Sequence, residues 1–423
     1  MKKLLILAFA LLPLLAHTQT WYSMLDMVPD SGRYAVGTHT ALSVNSFMLT
    51  SRFTTNLVRG GQIEPKTKNE VLERMNNNSF GNLSGGNLDV HLFAGMKLDS
   101  LFGKATPGLR WFARASDRQY ASVVLGEDVF ELAFYGNRSL AGDTARIAYS
   151  AGTLMRYQQA MIGFVNETKA GRRYGAGLSY VNGEQYLQAQ INNGWLYTSP
   201  TGAELSAALN GRLWQSDTSN TGFAATNGMG MALDAFYEFD INQFDTARGP
   251  LRVRFALYDA GFIQWNNKTL EYAVDSTYHY AGFSINSLSD LQDSVLSARA
   301  DSVADSFTYR TGTGYTTSAT PARIVISAER QWDKLVIGGG IDNRFDDVYQ
   351  PYAWLRPGYK LGQYVQVNGV MGWSGYGTFS FGADVGVRHK NVVFALGTSN
   401  FEGVVFPGRL GGIGAWTTLR VQF

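Results

Sequence analysis

The chain has no cysteine, only ten prolines and five histidines among its 423 residues. The absence of cysteine excludes disulfides, thiolate metal sites, thiol nucleophiles and a lipid anchor on an N-terminal cysteine. No run of about 18 consecutive apolar residues occurs, which excludes a membrane protein built from transmembrane helices. Acidic and basic residues nearly balance, at 34 and 36. The chain therefore lacks the strongly basic surface expected of a nucleic-acid-binding protein.

Glycine and aromatic residues, by contrast, are plentiful, with 47 glycines and 13% aromatics. This composition favours many strands joined by turns, because each proline removes a ladder donor whereas glycine tolerates the bends of a closing sheet. A soluble β-sandwich or propeller is the alternative, since its strands also alternate. It is disfavoured because a soluble chain rarely keeps so many aliphatic and aromatic residues on one strand face.

The last eleven residues, 413–423, alternate between two stripes and end on an aromatic ring. Apolar residues on one side of an extended strand with polar residues opposite are typical of a transmembrane β-barrel strand. The end of the chain also resembles the signal that the barrel assembly machinery of bacterial outer membranes recognises. The candidate residues of this C-terminal assembly signal are Leu419, Val421 and Phe423.

The same alternation recurs along the second half of the chain, in residues 229–239, 251–257, 324–328, 335–341, 365–373 and 379–388. We therefore predict an all-β protein, an antiparallel transmembrane barrel of about 14–16 strands with outer-membrane lipid as its solvent. Such a barrel is wide enough for a lumen, which is either open or plugged.

The start of the chain supports export to the outer membrane of a Gram-negative cell. Two lysines precede a short apolar run, which predicts a signal peptide over residues 1–18. We assign residues 19–45 to a periplasmic or lumenal segment and residues 46–423 to the barrel, with a long outer insertion at 265–320.

Connector lengths give a second test, because outer-membrane barrels have short periplasmic turns and longer external loops. If Phe423 is periplasmic, the short connectors predicted on that side are 168–172, 199–202, 331–334 and 388–391. The long connectors predicted outside are 59–85, 215–228, 265–320 and 400–412, while 181–184 and 374–377 are short external turns. Two of the loops carry helical patterns, one beginning near Thr67 with Glu70 and the other near Ser287 with Asp290.

Charges of both signs lie on the polar stripes and are candidate lumen residues. They are Asp234, Glu238, Arg252, Arg254, Asp384 and Arg388. Counting from the turn after residue 241 places Glu238 near Arg252, close enough for a cross-strand pair. Asp384 and Arg388 are a second candidate pair. Such pairs stabilise a barrel interior or select ions, and the first role is favoured because no ring of one sign occurs.

Catalytic patterns are sparse. Only His91, with Asp89 and Ser84, suggests a hydrolase triad, and Asp89 and His91 fall on one polar stripe. We predict no enzyme activity and no cofactor. Tryptophans near strand ends are typical of interfacial girdles, and the candidates are Trp265, Trp332, Trp354, Trp373 and Trp416. The alternative is that several of them bind an apolar ligand in the lumen, and the girdle is favoured.

The segment from residue 229 to 341 permits a comparison of motifs. Its order of strand motifs, densest at Asp259-Ala-Gly-Phe-Ile-Gln-Trp265, resembles an uncharacterised family of Bacteroidota outer-membrane barrels and, more distantly, the FadL and PorV group. The PorV side implies an accessory that docks secreted or surface proteins. The FadL side implies passive uptake of a hydrophobic small molecule past a plug. The long insertion departs from both, so no binding residue is transferred.

Overall fold

The structure is a computed structural model that describes residues 23–60, 62–77, 81–168, 171–241, 249–280, 309–345, 348–398 and 400–423. The predicted signal peptide and the helix predicted at Ser287 lie outside these residues.

One antiparallel sheet closes on itself. Strand β1 (Tyr34–Ser46) pairs with β2 (Leu83–Lys97) on one edge and with the last strand, β19 (Ile413–Gln422), on the other. Closure removes the free edges of the sheet and pairs the backbone amides where lipid offers no partner. The predicted all-β antiparallel barrel is confirmed.

The other strands are β3 (Ser100–Leu101), β4 (Lys104–Ala105), β5 (Leu109–Val124), β6 (Thr144–Arg146), β7 (Ser150–Glu167), β8 (Arg173–Thr198), β9 (Leu205–Gln215), β10 (Gly228–Ile241), β11 (Leu251–Tyr280), β12 (Tyr309–Ala319), β13 (Arg323–Trp332), β14 (Leu335–Arg344), β15 (Tyr352–Leu361), β16 (Val365–Trp373), β17 (Phe379–His389) and β18 (Val392–Thr398). Strands β12 and β13 both pair with β11, Phe262 being opposite Ala319 of β12 and Tyr258 opposite Arg323 of β13. The register is the same in both pairs, so β12 and β13 are two parts of one strand. With β12 and β13 counted together and β3, β4, β6 and β9 left out, 14 strands form the barrel.

A belt of exposed apolar side chains surrounds the barrel. Its members include Leu92, Ile162, Leu178, Met231, Phe255, Ile326, Ile341, Leu355, Met371, Phe394 and Leu419. Such a belt is the surface expected against acyl chains. We call the end where β1 begins and β19 finishes the closing end, and the opposite one the loop end.

On one side the sheet continues past the belt at the loop end. We call this extension the projecting arm: residues 185–198 of β8, β9, residues 264–280 of β11, and β12. Strand β9 pairs with both β8 and β11 there and does not cross the barrel. The prediction that 265–320 is a connector is therefore wrong for its described part, which is largely strand. The alternation of Leu270, Tyr272 and Val274 with mostly polar neighbours was a signal in the sequence that the prediction did not use.

Three further boundaries differ from the sequence predictions. The turn at 199–202 is at the tip of the projecting arm, not at the closing end, because β8 runs unbroken through 181–184. The barrel begins at Tyr34 rather than at residue 46. The segment expected over 19–45 therefore contains most of a barrel strand.

Short helices lie in the loop-end connectors, namely α1 (Ser51–Arg59), α2 (Pro65–Asn76), α3 (Glu127–Phe134) and α4 (Glu402–Val405). The helix predicted near Thr67 is α2. None of the helices in the described ranges is long and apolar enough to cross a membrane.

Candidate functional site

A β-bulge at the middle of the barrel wall organises the lumen. The pairing of β10 with β11 shifts register between Leu233 and Ala235, and Asp259 opposite this shift has a φ of 55°. Aspartate tolerates this left-handed conformation better than most residues. The bulge lets the Asp259 amide donate to Asp234 at 2.7 Å, while Thr320 donates its hydroxyl to the Asp259 carbonyl at 2.5 Å.

Arg118 on β5 connects this bulge to the opposite wall. Its guanidinium pairs with Asp259 and lies 2.7 Å from Asp89 on β2. Beside it, Arg114 lies 3.1 Å from Asp234, and Gln159 donates to Asp259 at 2.9 Å. Buried charges are costly unless they are paired and hydrogen-bonded, so this network holds the lumen in one arrangement.

The predicted lumen charge Glu238 is almost fully buried and forms ion pairs with three arginines. It pairs with Arg173 and lies 3.3 Å from Arg252 and 2.5 Å from Arg254. Its direct cross-strand neighbour is Arg254, whereas Arg252 is opposite Asp240. The structure therefore places Glu238 near Arg252, as predicted, although the residue directly opposite it is Arg254.

The last two predicted lumen charges do not pair with each other. Asp384 pairs with Arg356 at 2.6 Å, from two strands away. Arg388 lies at the closing end, where its half-exposed side chain is 3.0 Å from Asp30. The expected pairing within one strand is wrong, because residues four apart on an extended strand are about 13 Å apart and each of the two charges has a partner elsewhere.

Sequence reasoning missed most of the network, including Arg114, Arg118, Asp259 and the pair Arg323–Asp342, at 2.5 Å. These partners lie on strands far apart in sequence, so no local spacing indicates them. The single available signal was Asp259 itself, which opens the densest family-like motif and interrupts the alternation of its strand.

The space left inside the network is small. A cavity of about 50 Å³ is lined by Asp89, His91, Arg114, Arg118, Asp259 and Arg323, among others. Sites that hold small organic molecules usually measure roughly 300–1,000 Å³. Charged and polar groups form much of the lining, so this cavity suits water rather than an apolar molecule.

The closing end of the lumen is filled by residues 23–33, which we call the plug segment. Its 3₁₀ helix (Met24–Met27) packs against Phe93, Phe112 and neighbouring side chains. Arg420 on β19 donates to the Val28 carbonyl at 3.0 Å, and Gln422 accepts from the Asp30 amide at 2.8 Å. The last strand therefore fastens the start of the described chain inside the barrel.

The loop end is covered by a second packed layer, the cap, which consists of α1, α2, α3 and residues 400–412. Its apolar centre contains Phe53, Val71 and Phe130. Arg74 donates to the carbonyls of Ser46 and Arg409, at 2.7 and 2.6 Å. These contacts join β1, α2 and the connector before β19 into one layer.

Glu402 in the cap has an unusual electrostatic environment. Its carboxylate accepts from the Phe381 amide and from Asn400, both at 3.2 Å. Burial nevertheless raises the pKa of Glu402 to about 7. This group therefore changes charge near neutral pH.

The histidine considered for catalysis has no triad around it. His91 contacts Ser116 at 2.8 Å and stacks on His39 with ring centres 5.8 Å apart. Asp89 instead pairs with Arg118, and Ser84 with Ser46. Among the described residues no cluster of three or more potential metal ligands occurs.

The three residues of the predicted assembly signal lie together at the closing end of β19. Leu419, Val421 and Phe423 are 40%, 36% and 59% exposed, as a lipid-facing stripe requires. Of the predicted girdle tryptophans, Trp373 is 52% exposed. Trp265 and Trp416 are buried instead, so their assignment to a girdle is wrong.

The closed sheet, the apolar belt, and the short turns at one end with longer connectors at the other together define a β-barrel of the outer-membrane type. The chain belongs to the family described as "Family of unknown function (DUF5723)", whose model matches residues 27–399. Comparison with curated proteins gave no match.

Among solved structures, the chain is similar to a mutant of the monoaromatic hydrocarbon channel TodX, with a TM-score of 0.47 and 9% identity over 94% of this chain and 92% of that one. It is also similar to the P. putida toluene transporter TodX, at 0.43 and 10% over the same shares. The translocator domain of autotransporter NalP from Neisseria meningitidis follows at 0.35 and 9%, over 93% and 90%. Likeness at this level does not bear on function.

Proposed function

We propose that this protein is an outer-membrane accessory that docks secreted or surface proteins and does not itself transport solutes. The observation that carries the proposal is the filled lumen. Ion pairs centred on Arg118 occupy its middle, the plug segment fills one end, and the cap covers the other. Export through a signal peptide at residues 1–18 and an origin in Bacteroidota belong to the same proposal.

The alternative, passive passage of a hydrophobic small molecule, ranks second. One observation favours it: a buried aromatic cluster, including Tyr157, Tyr186 and Trp265, lies just above the ion pairs. An apolar molecule entering there would still meet the charged groups around Arg118 and Asp259. The energetic cost of displacing such pairs argues against passage.

Flux through reconstituted protein separates the two functions. The purified barrel in liposomes is expected to give ion leakage and uptake of a fluorescent long-chain fatty acid no greater than empty liposomes, while a general porin reconstituted alongside leaks ions. Saturable fatty-acid entry would overturn the docking function. A density map after mild detergent extraction provides the second readout, since it records lumen contents and bound neighbours together.

A further inference from the structure

The projecting arm has two edges that differ. On the β8 side the edge is covered, because β7 pairs with residues 185–191 and β6 with residues 195–197. On the other side β12 pairs only with β11 among the described strands. The next strand, β14, ends at Arg344 opposite Arg323, below β12. A row of backbone donors and acceptors therefore points outward along β12.

Residues 312–319 of this edge have no charge or proline to prevent pairing with another chain, although two bulges lie along it. Natural edge strands carry charges or proline, or are short or bulged. Residues 312–319 read Gly-Thr-Gly-Tyr-Thr-Thr-Ser-Ala, without a charge or a proline. Bulges interrupt the pairing with β11 near Gly312 and opposite residues 266–268, but residues 316–319 and 312–314 pair with it regularly. Threonine and tyrosine, which favour strands, supply half of the segment.

The edge is also held in place before any partner arrives. Trp265, fully buried at the base of the projecting arm, donates its indole N–H to Ser318 at 2.8 Å. The same ring stacks on Tyr186 with centres 5.1 Å apart. On the opposite face of β12, Tyr315 is 70% exposed. Because the strand is ordered in advance, binding costs less conformational entropy.

Position and symmetry limit what can occupy the edge. It continues beyond Phe262 and Ile324, the exposed belt members on the adjoining strands, and it carries the exposed ring of Tyr315. A second copy in the same membrane would be related by a two-fold axis along the membrane normal. That axis sets each N–H of β12 opposite the same N–H of its copy, which prevents a ladder.

We propose that β12 is a docking edge that binds an extended, strand-forming segment of a partner protein as an added antiparallel strand. This inference rests on the docking function proposed above and deepens it. The main-chain ladder would supply affinity. The exposed row of Thr313, Tyr315 and Thr317 would select partner side chains, with β-branched and aromatic residues favoured over charged ones.

The chain has no cysteine of its own, so an introduced cysteine is the sole thiol available for a disulfide-trapping experiment. The probe is a synthetic peptide with the sequence of residues 268–279 of β11, carrying cysteine in place of Ala273. It is offered to full-length protein in detergent with a single cysteine at Thr317. The matched control has its single cysteine at Gln264 on β11, which lies opposite Thr317 and is paired with β10 and β12 on its two sides. Both positions are exposed, so a difference between them reports the edge.

We expect Thr317→Cys to form the mixed disulfide at least about tenfold faster than Gln264→Cys, and Thr313→Lys in the same chain to slow it. A scrambled peptide should show no preference. Equal trapping at the two positions overturns the proposal. So does trapping that appears only when residues 281–308 are replaced by a Gly-Ser linker, because the chain itself then occupies the edge.

The outcome is separable from that of the proposed function. If liposomes show no flux while Thr317→Cys and Gln264→Cys trap the peptide equally, the docking function stands and the β12 edge does not. If liposomes show saturable flux, the docking function fails whatever the peptide does.

Discussion

The two sides of the barrel are built to different heights. Strands β14 to β18 contain 7–11 residues each, whereas β7, β8 and β11 contain 18, 26 and 30. A membrane strand needs only about 9–11 residues. The short side therefore has the length that a bilayer requires. The side formed by β7, β8 and β11, which we call the tall side, is longer than the membrane requires. Its extra residues therefore have a role other than crossing the bilayer.

The largest expected effect lies at the centre of the tall side. Replacing Arg118 by alanine leaves Asp89 and Asp259 buried without their shared counter-charge. We expect a loss of about 3–5 kcal/mol in the free energy of unfolding, measured by urea unfolding in detergent. Arg212→Ala is the control, because its side chain is 59% exposed and 3.9 Å from Glu271. It should cost less than about 1 kcal/mol, and equal losses would contradict the assigned network.

A second substitution compares one tryptophan from each side. Trp265→Ala removes a fully buried ring at the base of the projecting arm and should cost about 3 kcal/mol, mostly by loosening the arm. Trp373→Ala on the short side removes a ring that is 52% exposed to the belt and should cost much less. Hydrogen exchange of the β9 and β11 amides measures the difference. Faster exchange in the β16 mutant than in the β11 mutant would reverse this ranking.

The stability of the folded protein is expected to depend on pH through Glu402, which lies in the cap next to the short side. The pKa of Glu402 is raised to about 7, so the folded protein keeps a proton that the unfolded chain releases near its ordinary value. Stability from this group is full at low pH, falls as pH rises toward about 7 and is then constant. The loss should not exceed roughly 3 kcal/mol.

Urea midpoints between pH 4.5 and 8 test this directly. The difference in stability between the wild type and Glu402→Gln should widen with rising pH and level off near neutrality. Parallel curves would mean that Glu402 is not the titrating group.

The smallest effect on stability is expected at the chain end. Phe423→Ala removes a ring that is 59% exposed and 5.8 Å from Tyr34, while the backbone bonds of residue 423 remain. Its unfolding free energy should change by less than about 1 kcal/mol, but the yield of assembled barrel in cells should fall. Unchanged yield would remove Phe423 from the assembly signal.

The short side was largely predictable from sequence because its strands face a polar lumen on one side and the apolar belt on the other. The stripes at 365–373 and 379–388 match β16 and β17 closely. The projecting arm was predictable as strand, because Leu205, Leu209 and Leu213 alternate with polar residues in β9. Its place beyond the barrel was not predictable, since the pairing of β9 with both β8 and β11 joins segments far apart in sequence. The lumen network was only partly predictable. Glu238 and Arg254 are cross-strand neighbours, whereas Arg118 reaches Asp259 across 141 positions of chain.

The plug segment has a consequence for the order of events during biogenesis. Its anchor Arg420 is made some 390 residues after Asp30, which it binds. Strand β1 likewise waits for β19 before its second edge is covered. The first-made part of the described chain thus receives its final partners last. Until β1 and β19 pair, their edges must be kept from mispairing, and the lumen is sealed at the moment when the barrel closes.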